Sequence, residues 1–449
     1  MKRFFVAVAA LGAALAAADA SLAQGWVQLT APSSDIGPIA CSADGSKLLL
    51  AGGGYSPVGG DVLYVSHDSG ATWTAASVPT GGWYAVASSA EGTVLMATER
   101  WSGTVYVSTD SGATWSRATL PVTWWQGVAC SANGAVLYAT ASRTTSGSPE
   151  GIYASADGGA TWSQAAAPPA TTNGDWGPVA CSADGMRVMV GEGANVWIST
   201  NSGVNLRLAF TLDPPYLAPG DQFVCASLAC SADGRKVAVG GESLGNYYNQ
   251  VAVATSADSG ATWAWTSDTI PITPFGMTWC GFWQPVCVSA GGGRLAAAGG
   301  GCPCPVGALP LGPVLVSEDC GASWVMPPGE ADPAWGDPGT TNSVAPWTGL
   351  AMTADGARLT GVFLDVYPGV VAQQAVLAPV IDIGVSAGHL VLSWVVPSAP
   401  FVLQQSTDIG AVNWTNTPGA PVLNYSTLCE EVTVPPSGRQ MFYRLVSRP

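Results

Sequence analysis

At 449 residues the chain is long enough for two or three ordinary domains, yet only 10% of it is charged, and it carries 56 glycines, 33 prolines and 19 tryptophans. That balance suits a turn-rich all-β protein whose length is spent on repeats rather than on separate domains. A formal net charge of −15 provides no basic surface for a phosphate backbone or an anionic bilayer, so nucleic acid and acidic membranes are excluded as expected partners. A glycan or an extracellular protein is the expected partner, and a monomer the expected state.

The chain opens Met1-Lys2-Arg3, runs apolar from Phe4 to Ala18, and reaches the small-residue site Ser21-Leu22-Ala23. This pattern predicts a secretory signal peptide over residues 1–23 and a secreted or periplasmic protein. Its removal takes Lys2, Arg3 and Asp19 and leaves 13 basic and 29 acidic side chains. No later stretch has 18 uninterrupted apolar residues, so no membrane span is expected.

Next come Gly25-Trp26-Val27-Gln28-Leu29 and a phrase that recurs, Ile39-Ala40-Cys41-Ser42-Ala43-Asp44-Gly45, followed by the strand Lys47-Leu48-Leu49-Leu50. Equivalents start at Val86, Val128, Val179, Leu228, Cys287 and Leu350, between 42 and 63 residues apart. Between these phrases lies the pattern S-x-D-x-G-x-[T/S]-W, complete at Ser66–Trp73, Ser108–Trp115, Ser155–Trp162, Ser256–Trp263 and Ser317–Trp324. A worn copy, Ser199–Leu206, carries Asn201 for Asp and loses the Trp. Each copy joins two β-like runs, so it is a hairpin tip. Asp68, Asp110, Asp157, Asp258 and Asp319 accept backbone N–H bonds there, and the glycine two residues later takes the left-handed conformation. Trp73, Trp115, Trp162, Trp263 and Trp324 then cover the hairpin with an apolar face.

The pattern resembles the Asp-box (BNR) repeat of sialidase-like β-propellers, a family that also includes photosystem II assembly factors, sortilin-type receptors and some glycoside hydrolases. The resemblance implies four-stranded blades. The seventh phrase, from Leu350, has no Asp box after it, whereas Gly25–Leu29 looks like a last strand with no blade before it. The expected fold is therefore all-β: a seven-bladed β-propeller over residues 24–378, closed by the N-terminal strand, then a small β-sandwich-like module over 379–449. In that module Leu390–Trp394, Phe401–Gln404 and Met441–Leu445 alternate as strands.

Eleven cysteines in an exported chain invite disulfides. Cys41, Cys130, Cys181 and Cys230 share one repeat position and read as small packing residues, whereas Cys225, Cys280, Cys287, Cys302, Cys304 and Cys320 are the expected bridge formers. The odd total leaves at least one thiol unpaired within the monomer.

The turns inside each unit are short and nearly constant, and the connections on the opposite face vary widely, which points to that face for binding. Trp83, Trp125, Trp176, Trp283 and Trp347 each lie just before a first strand, on the variable face; aromatic rings there can stack on sugars, or simply pack between blades. Glu99, Glu192 and Glu242 follow second strands on the same face and are the candidate catalytic pair of a glycoside hydrolase, which requires two carboxylates about 5 to 10 Å apart. A sialidase is disfavoured. That family resemblance implies an early Arg-Ile-Pro, where this chain has Ile36-Gly37-Pro38-Ile39, and an arginine triad, where only Arg100 and Arg143 are well placed. With two histidines, His67 and His389, and no D-x-D-x-D-G loop, neither a metal site nor a cofactor is expected. The favoured reading is a non-catalytic binding propeller; the alternatives are a glycoside hydrolase and an assembly factor like the photosystem II group.

Overall fold

The structure, a computed structural model, describes residues 27–29, 31–32, 36–52, 61–99, 102–142, 150–165, 176–213, 223–243, 251–265, 285–298, 314–325, 347–363, 369–374, 379–386, 388–397, 401–410, 413–435 and 441–447. The predicted leader lies outside them. Among the described residues every regular element is a β-strand. Residues 36–374, with Val27–Leu29, form seven antiparallel sheets, numbered here I to VII from the N-terminus, six of four strands and one of three. Sheet I is typical: Ile36–Cys41, Leu48–Gly52, Leu63–Ser66 and Thr74–Ala75 succeed one another as a meander.

Burial explains the composition of each strand. Leu48–Gly52, Leu95–Glu99, Leu137–Ser142 and Val188–Glu192 are the second strands of sheets I to IV and are buried at every position. A neighbouring sheet covers each of their faces, so they begin as apolar runs such as Leu48-Leu49-Leu50 and Val188-Met189-Val190 and keep their polar residues for the far end. The fourth strands Thr74–Ala75, Ser116–Arg117 and Ser163–Gln164 are exposed and polar or small, as suits an outer edge.

The turns after the first strands are joined by backbone hydrogen bonds from sheet to sheet. Ala43 N–H donates to Ala90 O, Ala90 to Ala132, Ala132 to Ala183, Ala183 to Ala232, Ala232 to Ala290 and Ala290 to Ala354, and Ala354 donates back to Ala43, all at 2.7–2.9 Å. All seven of these turn positions are alanine. In sheet VI the pairs Val286↔Ala297 and Val288↔Leu295 match Ile39↔Leu50 and Cys41↔Leu48 of sheet I. The sixth phrase therefore starts at Val286, one residue before the Cys287 read from the sequence.

Sheet VII is assembled from both ends of this region: Trp347–Met352, Arg358–Phe363 and Gly369–Gln374, with Val27–Leu29 as its outer strand. Val27 pairs with Ala372, Gln28 with Val371 and Leu29 with Val370. The C-terminal residues form two further sheets, one of Asp382–Ser386, His389–Val395, Cys429–Val434 and Val422–Asn424, the other of Thr415–Asn416, Phe401–Ser406 and Phe442–Ser447. Leu392, Trp394, Val432 and Val434 of the first share a core with Leu403 and Tyr443 of the second.

Candidate functional site

The aspartate turns are near copies in three dimensions. Ser66 Oγ donates to Asp68 Oδ1 at 2.8 Å and accepts from Gly70 N at 2.8 Å; Asp68 Oδ1 accepts from Thr72 N at 2.8 Å, and Oδ2 from Thr72 Oγ1 at 2.5 Å. The same four bonds recur at Asp110, Asp157, Asp258 and Asp319. The partner hydroxyl, then its own backbone N–H, holds the carboxyls of Asp68, Asp157 and Asp258 down at about 2. In the worn copy Asn201 Oδ1 keeps the bonds to Ser199 and Asn205. One carbonyl oxygen thus does the work of the first carboxylate oxygen.

Sequence reasoning missed the residue before the glycine. Ser69, Ser111, Ser202, Ser259 and Cys320 are themselves left-handed, with φ of 55–65°. Their N–H groups bond back to Ser46, Thr93, Met186, Arg235 and Gly293. Each aspartate turn is therefore tied to the first turn of its own sheet, so the two sets of short turns share one face. Side chains then cross between sheets: Lys47 Nζ reaches Ser111 Oγ at 3.0 Å, Lys236 Nζ reaches Cys320 Sγ at 3.1 Å, and an Arg358 guanidinium nitrogen reaches Ser69 O at 2.6 Å.

On the opposite face the structure changes the reading of the tryptophans. Trp83 and Trp125 are 0% exposed, Trp176 3% and Trp347 5%, so protein covers both faces of these rings. Trp83 donates its indole N–H to Asp61 O and Trp125 to Gly103 O, in loops of the preceding sheets. They meet Tyr106 and Tyr153 edge-on at 5.6 and 5.3 Å. These four are wedges between sheets, not a sugar platform; Trp283 lies outside the described residues. The ladders slip just after Trp83, Trp125, Trp176 and Trp347, a bulge that re-aims the side chain into the gap. Among the described residues Trp124 is an exposed aromatic on this face, 42% exposed beside Val122 at 62%. The signal was present in the adjacent pair Trp124-Trp125: on a strand, neighbours point to opposite faces, so only one of them fits the wedge.

Two of the three candidate carboxylates are buried. Glu99 pairs across the ladder with Trp83, and Glu192 with Trp176; they are 5% and 3% exposed. Glu99 Oε1 accepts from Gly82 N at 3.0 Å and its Oε2 from Ser102 N, so it fastens two loop ends. Glu192 Oε2 accepts from the Trp197 indole at 2.9 Å, and its other oxygen is buried with no partner among the described residues. Glu99 belongs to sheet II and Glu192 to sheet IV, with sheet III between them in sequence. Glu242 pairs with Val224 and Val251 through its backbone. Arg100 and Arg143 lie outside the described residues.

Cys225, Cys287 and Cys320 are free thiols, which corrects the expectation that they form bridges; Cys280, Cys302 and Cys304 lie outside the described residues. Cys41, Cys130, Cys181 and Cys230 are also free. They line a pocket of about 160 Å³ with Met352 and the seven hydrogen-bonded alanines. Desolvation pushes the Cys41 and Cys181 thiols up to about 12.

No protein-family model matches this chain, and no curated protein matches it either. Solved structures do. A GH74 xyloglucanase from Xanthomonas campestris is 17% identical with a TM-score of 0.53, covering 83% of this chain and 59% of that one. YCF48 from Cyanidioschyzon merolae is 14% identical at 0.50, covering 78% and 98%. Kuenenia stuttgartiensis hydrazine synthase is 14% identical at 0.51, covering 75% and 94%. The chain spans 59% of the length of that xyloglucanase. At such identities the likeness is one of architecture, and the architecture these proteins share with this chain is the β-propeller.

Proposed function

We propose that this chain is an exported, non-catalytic binding protein of the Asp-box kind, a seven-bladed β-propeller whose ring is closed by Val27–Leu29. Its ligand, a glycan or an extracellular protein, is received on the long-loop face around Trp124 and Val122. The observation that carries the non-catalytic reading is the fate of Glu99 and Glu192. Glu99, with both oxygens taken by backbone N–H groups, is spent on holding loops, and Glu192, bonded through one oxygen to an indole, is 3% exposed and presents no oxygen at the surface. A glycosidase acid or nucleophile needs an oxygen open to the glycosidic bond. The cycle of seven alanine hydrogen bonds and the pairing of Val27–Leu29 with Val370–Ala372 support the ring.

A glycan array and titration calorimetry on soluble polysaccharides test this reading. Wild type is expected to retain a ligand that Trp124→Ala loses by about tenfold or more, as for an exposed aromatic anchor, with no polysaccharide cleaved. Hydrolysis that disappears in Glu99→Gln or Glu192→Gln would replace this reading with a glycoside hydrolase. Wild-type binding that survives Trp124→Ala undiminished would move the site elsewhere.

A further inference from the structure

Among the described residues the C-terminal module packs on the sheets through the turn between Val422–Asn424 and Cys429–Val434. Tyr425 and Leu428 from this turn pack on Ala132, Ala183 and Ala232, with Ala90 and Ala290 around them, and Leu428 is part of the wall of the cysteine-lined pocket. The alanines that seat it are those whose backbone bonds form the cycle, so the turn sits over that cycle on the short-turn face.

Two features distinguish this contact from incidental packing. Leu428 has φ of 54°, a conformation that a leucine rarely adopts. It is clamped on both sides: its N–H donates to Asn424 O and its carbonyl accepts from Val396 N, each at 2.9 Å, while Asn424 Oδ1 accepts from Ser426 N at 2.9 Å. A glycine would hold that backbone more easily, so the leucine side chain is retained for what it covers. The second feature is Glu91. In the equivalent turns Asp44, Asn133, Asp184, Asp233 and Asp355 fold their oxygen back onto their own backbone, two residues on. Glu91, one methylene longer, instead accepts the Tyr425 hydroxyl at 2.6 Å, across 334 residues of sequence.

We propose that the C-terminal module is a stopper for the cysteine-lined pocket: Leu428 closes its short-turn mouth, Tyr425 latches the stopper to Glu91, and the thiols of Cys41, Cys130, Cys181 and Cys230 are thereby shielded from soluble thiol reagents. Closure of the pocket is independent of what the long-loop face binds. Thiol reactivity depends on the thiolate fraction and access together. Opening the mouth brings in water and raises both.

Maleimide labelling of the full chain, read cysteine by cysteine through peptide mass mapping, tests this. Leu428→Gly removes the plug while suiting the left-handed backbone, so the fold is expected to survive, checked by an unchanged unfolding transition. In that variant Cys41, Cys130, Cys181 and Cys230 are expected to label about tenfold faster or more, since each unit by which a thiol pKa falls is tenfold in thiolate. Tyr425→Phe, which keeps the plug and removes only the latch, is expected to give a smaller acceleration at the same four sites. Val422→Ala, on the exposed strand before the turn, is expected to give none. Equal rates at the four cysteines in wild type, Leu428→Gly and Tyr425→Phe would overturn the proposal, as would wild-type rates equal to those of a free peptide thiol.

Discussion

On the short-turn face, sheet after sheet repeats one set of hydrogen bonds: serine to aspartate, aspartate to the threonine or serine four residues on, and a left-handed N–H back to the first turn. On the long-loop face each sheet ends differently. Trp83 and Trp125 reach into the preceding sheet's loop for a carbonyl, Glu99 gathers two backbone donors, and Glu192 takes an indole. The first face is held mainly by contacts a few residues apart, so it tolerates wide variation in the loops that leave its strands at the other end. On the second, Trp83 and Trp125 are held by contacts between sheets, and there a substitution is felt by two sheets at once. Regularity on one side leaves the other free to specialise around an exposed patch such as Trp124.

The largest effect should come from the wedges. Trp125→Ala is expected to cost about 3–5 kcal/mol, the loss typical of a fully buried tryptophan, measured by urea unfolding, whereas Trp124→Ala one residue away should stay within about 0.5 kcal/mol. Equal losses at the two positions would erase the distinction between wedge and patch. Deleting residues 25–29 comes next. It removes three ladder pairs and the half-buried Leu29 and is expected to cost about 3 kcal/mol. If that deletion leaves the unfolding midpoint unchanged, the N-terminal strand does not close the ring.

The smallest effect separates the faces by pH. The aspartate turns hold Asp68, Asp157 and Asp258 at about 2 against an ordinary 3.8. A depressed folded value stabilises above the unfolded one, so this contribution is complete above pH 3.8 and is lost as pH falls toward 2. Melting monitored by circular dichroism should show Tm falling across that window. The slope should be shallower when all three are changed to asparagine, which, as Asn201 shows, preserves one acceptor. A wild-type Tm that is flat between about pH 4 and 2 would remove the aspartates from the account of stability.

Much of the fold was legible because its information is local. The eight-residue motif specifies a turn from side chains that bond within four positions of one another, so five intact copies and one worn one could be read directly. The spacing of the Ala-Cys-Ser phrases likewise located the inner strands, apart from the one-residue slip at Val286. The candidate site was less legible. Trp125 and Trp124 are chemically identical, and the bulge that buries one and leaves the other exposed arises from the ladder with Leu137–Ser142 and the gap between sheets. Glu99 and Glu192 read as free loop acids until their partners, Gly82, Ser102 and Trp197, were brought to them.

Sequence alone thus determined the turns, the strands and their repetition, since these depend on near neighbours and on which residues tolerate a left-handed backbone. Only the tertiary structure decided which tryptophans are buried and that Leu428 packs on Ala132, Ala183 and Ala232, because each depends on desolvation by segments far away in the chain. A side chain's identity fixes what it can bond or bury; which surface arrives to cover it is a property of the assembled sheets.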